Sequence, residues 1–229
     1  PHININDLNK ITNLMWNNYG RVFAEYMYIK DFRNNKIESK IEIEGQDILD
    51  EIKRFNKPVV FVSGHFANFE LMAMYIEKTG IKLSTIYRPL NNIFLNKIME
   101  GIRKKFICKN QIKKGIGGIK KLLILKKNNI STALMIDQRV SEGIKSNFFN
   151  QEALTTTVPA QLARKFSMPI VPIYIERIKG INFKITIDKP LYFTNDTSIK
   201  KITDELNEII EKKVILNPGQ WIWSHNRWK

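Results

Sequence analysis

Between residues 5 and 29, Leu8, Ile11, Met15, Val22, Phe23 and Tyr26 recur at spacings near three and four. That period predicts one or two amphipathic helices interrupted around Gly20. The face carries only Lys10 and Arg21 as basic residues, which suits core packing better than a helix lying on a membrane. Ile37, Ile41 and Ile43 then alternate with Glu38, Lys40, Glu42 and Glu44 up to Gly45, the pattern of a half-buried strand, and a short helix follows at residues 48–55. Beyond this the pattern changes to short apolar runs separated by longer helical stretches. Residues 59–63, 82–87, 130–136 and 170–175 read as buried strands; 69–78, 93–105, 117–127 and 159–166 read as helices. Gly80 and the pair Asn128 and Asn129 stand where helices should stop, and Thr157 with Pro159 stands where one should start. A strand at 182–187 and a helix at 199–216 complete the series.

This alternation predicts an α/β fold, a single-domain sandwich of a mostly parallel or mixed central sheet flanked by helices. The 229 residues are enough for one core, so residues 1–229 are read as one domain. At 43% hydrophobic and 26% charged residues the composition is that of an ordered globular chain. The single cysteine, Cys108, excludes an internal disulfide and a thiolate zinc site. No apolar stretch reaches the ~18 residues that a spanning helix needs. The formal charge of +15 attracts polyanions, and by itself leaves nucleic acid, an anionic membrane, an acidic carrier and a phosphorylated lipid all open.

In open α/β sheets reactive groups collect just past the C-terminal ends of strands. Two segments qualify: Ser63-Gly64-His65-Phe66-Ala67-Asn68-Phe69-Glu70 and Asp137-Gln138-Arg139. His65 and Glu70 are five apart, so on one helix their side chains would diverge by about 140°. His65 therefore precedes the helix, in a turn that Gly64 permits, and its imidazole can fold back to take Glu70 as a neighbour. A carboxylate on one ring nitrogen fixes the tautomer and leaves the other nitrogen as a base for an alcohol. A strand-end histidine satisfied by a local acid would look the same when isolated. The strand-end position, the presence of only three histidines and the free N–H groups of the coming helix favour function.

Other chemistries fit less well. There is no HExxH spacing, and His2 and His225 lie at opposite ends of the chain, so no metal is expected. Ser63 lacks a GxSxG elbow and Cys108 has no histidine nearby in sequence, so direct transfer between two bound substrates is favoured over an acyl-enzyme. Gly115-Ile-Gly-Gly118 has neither nucleotide-binding spacing and reads as a helix start; no ATP or NAD is expected, and no other cofactor.

The segment from Gly64 to Glu70 resembles the HX4E motif of the late acyltransferases of lipid A synthesis, the lauroyl and myristoyl transferase family. Pro58 to Ser63, Tyr87-Arg88-Pro89 with Asn91 and Arg103, Met135 to Gln138, Asn147 to Phe149, Met168 to Pro172 and the terminus Pro218 to Trp228 resemble the family's other blocks in the same order. Ala67 departs from a common glycine and Phe69 from a common tryptophan. The family's N-terminal membrane helix has no counterpart in this chain, which begins at Pro1.

The resemblance implies a glycerol-phosphate-acyltransferase-like fold and an enzyme at the cytoplasmic face of the inner membrane. It implies His65 as base with Glu70 as its acidic partner, Arg103 and less directly Arg88 on a phosphorylated glycolipid acceptor, and Asp137 at a further acidic position. The donor would be an acyl carrier protein thioester, and the acceptor a hydroxyl of a lipid A precursor. Backbone N–H groups of residues 66–68, with the Asn68 side chain, would hold the oxyanion. The positive charge would then serve an anionic membrane surface rather than nucleic acid. Two alternatives remain: the same fold acting on another glycolipid, such as a phosphatidylinositol mannoside, with acyl-CoA as donor, and a non-catalytic basic module binding membrane or nucleic acid.

Overall fold

A computed structural model describes residues 3–37, 40–113, 124 and 128–228. The chain opens with one continuous helix, α1 (Ile5–Tyr26), capped by the Asn4 side chain, which accepts from the N–H of Asp7. The helix runs through Gly20 without a break, because an unstrained glycine costs only ~1 kcal/mol within a helix that packing already holds. Its buried stripe is unusually polar, placing Asn18, Glu25 and Tyr26 beside Met15 and Val22. Leu8, Trp16 and Phe23 face outward.

The short α2 (Ile29–Arg33) leads to β1 (Ile41–Glu44) and α3 (Gln46–Phe55). Then come β2 (Val60–Ser63), α4 (Glu70–Lys78), β3 (Leu83–Tyr87) and α5 (Ile93–Ile102), which passes directly into a π-helical turn, Arg103–Ile107. After β4 (Asn110–Lys113) and β5 (Ser131–Met135), a hairpin of β6 (Ile144–Phe148) and β7 (Gln151–Thr155) precedes α6 (Val158–Phe166). The chain closes with β8 (Ile170–Lys179), β9 (Asn182–Ile187), α7 (Ile199–Leu216) and a 3₁₀ turn, Pro218–Gln220. The predicted helix at 117–127 and the reading of Gly115 to Gly118 fall almost wholly outside the described residues.

Among the described residues, seven strands form one sheet in the order β1-β9-β8-β2-β5-β3-β4. All pairings are parallel except that of β8 with β9. The expected mixed α/β fold is present. β2 lies at its centre with all four residues buried, the environment its uninterrupted apolar run requires. Two elements were not anticipated. β4 carries Asn110, Gln111 and Lys113 around Ile112 and lacks a clear apolar period. The β6–β7 hairpin turns through Phe149 and Asn150, both at positive φ, without the Asn-Gly signal that usually marks such a turn. The Phe149 N–H is held instead by the Glu211 carboxylate on α7, 2.7 Å away.

Candidate active site

The parallel register of β2 with β5 sets Ser63 opposite Met135. Continued two residues past the strand ends, that register brings His65 level with Asp137. The N–H of Ile136 donates to the Ser63 carbonyl at 2.9 Å, so the two strands are still paired one residue before Asp137. His65 Nδ1 lies 2.8 Å from Asp137 Oδ1, and the backbone N–H of His65 donates to Oδ2 at 2.7 Å. The indole N–H of Trp221 donates to the same Oδ2 at 2.8 Å. Gly64 is required here for space rather than for φ, since a Cβ would come within 2.7 Å of the Phe66 ring and 3.1 Å of Asp137 Oδ2.

His65 Nε2 has no hydrogen-bond partner among the described residues. Its ring packs edge-on against Phe69 at 4.8 Å, and its side chain is 17% exposed. Burial alone would lower the pKa of His65. The charge and hydrogen bond of Asp137, with the charge of Glu70 behind them, outweigh it and hold the imidazole above the usual histidine range. Asp137 is the mirror case: burial would raise its pKa, but the charge and hydrogen bonds of His65 and the bond from Trp221 hold it low. Linkage gives the pH window. Asp137's contribution to folding is lost as pH falls through its depressed pKa, and that of His65 is lost as pH rises through its raised one.

The expected contact of Glu70 with His65 is replaced by another. Glu70 opens α4, and its Oε1 accepts from the Tyr26 hydroxyl and from Arg103 Nε at 2.9 Å and Nη2 at 2.5 Å. Arg103 thus points inward from the π turn instead of forming the solvated helix face that its Lys104 and Lys105 neighbours suggest. Two of its nitrogens are already on a carboxylate, so the structure shows it bracing Glu70. Burial and the Glu70 charge together hold the Tyr26 hydroxyl well above the usual range.

Asn68 also differs from expectation. It is completely buried, and its amide donates to Glu25 Oε2 at 2.9 Å, with Oδ1 unpartnered among the described residues. Glu25 in turn pairs with Arg177 at 2.5 Å, tying α1 to β8. The Asn68 side chain therefore faces the interior and not a reacting carbonyl. Two of the anticipated oxyanion donors are engaged too: the Phe66 N–H donates to Gly64 O and the Ala67 N–H to Gln220 O. Among the described residues nothing accepts from the N–H groups of Asn68 and Phe69, at the entrance to α4. Ala67 has φ +41°, so the departure from glycine noted in the sequence costs about 1 kcal/mol of backbone strain.

Arg88 follows β3 at the same edge of the sheet and is exposed. The C-terminal segment completes the site. Phe66 bridges Trp221, the Ile222 N–H donates to the His65 carbonyl, and His225 Nε2 accepts from the Arg139 N–H at 3.1 Å. The pKa of His225 is lowered by burial and by the charges of His65, Arg227 and Arg88, against the pull of Asp137. The tertiary structure therefore brings two histidines near one another that lie 160 residues apart in sequence. Cys108 is buried, donates to Leu83 O, and has its thiol pushed up to about 12 by burial, so it is not poised as a nucleophile.

The pair of His65 and Asp137 thus lies at the C-terminal edge of an α/β sheet. The structure superposes on the crystal structure of the 1-acyl-sn-glycerophosphate (LPA) acyltransferase PlsC from Thermotoga maritima with a TM-score of 0.51, over 91% of this chain and 88% of that one. At 10% identity this likeness shows the fold alone. The family model of bacterial lipid A biosynthesis acyltransferases matches residues 1–229, and the chain belongs to that family. It is 24% identical over 208 residues to the lipid A biosynthesis palmitoleoyltransferase of Escherichia coli (strain K12), covering 86% of this chain and 64% of the relative. It is 23% identical over 197 residues to the lipid A biosynthesis myristoyltransferase of the same organism, covering 82% and 58%. The chain thus spans about three-fifths of the length of these relatives.

Proposed function

We propose that this protein transfers a fatty acyl group from an acyl carrier protein thioester to a hydroxyl of a lipid A precursor, as a step of lipopolysaccharide biosynthesis. The observation that carries the reading is the His65 imidazole held on Asp137 through Nδ1, with Nε2 left without a hydrogen-bond partner among the described residues. Nε2 takes the acceptor hydroxyl proton, and the oxygen attacks the thioester carbonyl carbon. The resulting oxyanion is met by the free N–H of Phe69, at the entrance to α4. The C–S bond then breaks and the imidazolium returns the proton to the departing thiolate, giving an ester and a free carrier thiol. A thioester is already activated, so this step requires neither ATP nor metal.

Glu70 acts in this scheme by setting, through Arg103 and Tyr26, where α4 begins. Arg88, exposed at the same edge, is the cation available to an acceptor phosphate. α5 supports a location at the cytoplasmic face of the inner membrane. Ile93, Phe94, Leu95 and Ile98 are exposed on it, with Arg88, Lys97, Lys104 and Lys105 exposed around them. Apolar and basic groups side by side suit an anionic lipid surface. Ile93→Asp with Phe94→Asp should abolish co-sedimentation with vesicles of anionic phospholipid; unchanged binding would remove α5 from the membrane contact.

The deciding assay presents labelled acyl carrier protein thioesters and acyl-CoA in parallel to a Kdo-bearing lipid A precursor and to phosphatidylinositol mannoside, with His65→Ala protein as the blank. Product from the carrier thioester and the lipid A precursor supports the proposal. Product only from acyl-CoA, or only on the other glycolipid, replaces it with that alternative, and vesicle binding without any transfer leaves a non-catalytic module.

A further inference from the structure

Arg227 is fully buried, yet among the described residues it forms no ion pair. Its Nη1 donates to Leu154 O at 2.7 Å and its Nη2 to Thr155 Oγ1 at 2.6 Å, both neutral acceptors, while Nε is buried without a partner among the described residues. The guanidinium lies over the Phe148 ring at 5.3 Å. A buried, unpaired cation is strongly unfavourable, and burial pulls this one down to about 10, with the charge of Asp137 acting against that fall. It nonetheless stays charged at neutral pH.

Its position connects it to the base. Phe148 packs against Trp221, whose indole is bonded to Asp137, and Leu154 O accepts also from the N–H of Val140, three residues beyond Asp137. Before each turnover His65 must be neutral. At that stage the buried Asp137 carboxylate has N–H donors but no formal positive charge among them, so burial, which opposes its ionisation, is answered by hydrogen bonds alone. The other charges around the pair do not supply the counterion. Glu70 and Arg103 neutralise one another, Arg88 is exposed to solvent, the half-buried Arg139 carries its guanidinium end outward to Ser141 while its Nε has no partner among the described residues, and His225 has its pKa lowered.

We propose that Arg227 is a positioning residue of this site, the buried cation that keeps Asp137 ionised while His65 is neutral, and thereby sets the pH at which the imidazole becomes a base. The inference rests on the reading of His65 as that base. The sign follows from electrostatics: a cation separated from the pair by Phe148 and Trp221 disfavours the extra proton, so its removal lets His65 hold that proton to higher pH.

The test is an NMR titration of the His65 imidazole, assigned among only three histidines, in the native protein, Arg227→Lys and Arg227→Met. Arg227→Met should move the His65 midpoint upward by about one pH unit, a tenfold loss of neutral imidazole below the midpoint, while Arg227→Lys stays near the native value. A midpoint unmoved in Arg227→Met overturns the proposal and leaves Arg227 a packing residue. Should Arg227→Met fail to fold, the same substitution in an Asp137→Asn background should fold, because the anion needing the charge is gone. Failure there as well would show that the loss lies in the bonds to Leu154 and Thr155, and would equally overturn the proposal. No substrate enters the titration, so its outcome is independent of the transfer assay.

Discussion

Asp137→Asn is expected to lower the transfer rate by about 10³ to 10⁴ while leaving the protein folded, close to the effect of His65→Ala. The reason lies in the donors on Asp137. Oδ2 already accepts two N–H groups, from the His65 backbone and from Trp221, so an asparagine keeps its carbonyl oxygen there. Its amide nitrogen then faces His65 Nδ1. That nitrogen must become an acceptor, the ring proton moves to Nε2, and the base is lost although every atom stays in place. The pH profile supplies a second readout. In the native protein kcat/KM should rise with pH through a pKa above 6.5, since His65 must lose its proton to act and Asp137 holds that proton on. Asp137→Asn removes that hold, and any residual activity should show its acid limb at lower pH. Near-native rates in Asp137→Asn would mean that another group orients His65.

Glu70→Gln is expected to act mainly on stability. Glu70 is the only carboxylate paired with Arg103 among the described residues, and both side chains are largely buried. Removing one partner of a buried ion pair leaves the other uncompensated at a cost of about 3 kcal/mol, a sizeable part of the ~5–15 kcal/mol that holds a domain folded. The amide would also set an N–H group toward Arg103 or the Tyr26 hydroxyl. Urea denaturation should show the loss directly, and Arg103→Met in the same protein should recover part of it, because the stranded charge is then gone. At a temperature where Glu70→Gln remains folded, it should retain far more activity than Asp137→Asn. The opposite ranking would return to Glu70 the role of orienting the base.

The two predictions differ because residues that are neighbours in sequence separate in space. His65, Glu70, Arg103 and Asp137 could all be picked out of the chain, three of them by position next to strand ends or within the HX4E spacing. Their pairing could not. Five residues of separation across a turn are compatible with many side-chain directions, whereas the partner of His65 is fixed by the register of two strands that lie about seventy residues apart. Tyr26 gave no signal beyond its place in a helical stripe; in the structure its hydroxyl is one of the groups on Glu70. Trp221 gave no signal beyond its place in the terminal block from Pro218 to Trp228, and its indole N–H proves to be a donor to Asp137.

The sequence by itself determined the alternation of strands and helices, the mixed α/β sheet and the edge where chemistry-bearing residues gather, because these follow from local hydrophobic period and turn chemistry. It was sufficient for α7 and β9 to be placed residue for residue, and for α4 to within one residue. Only the tertiary structure decided which carboxylate meets which cation, that Asn68 faces inward, and that the C-terminal segment closes over His65. Those outcomes depend on pairwise distances of a few ångströms between distant segments, and hydrogen bonds and ion pairs carry no periodic imprint along the chain from which they could be read.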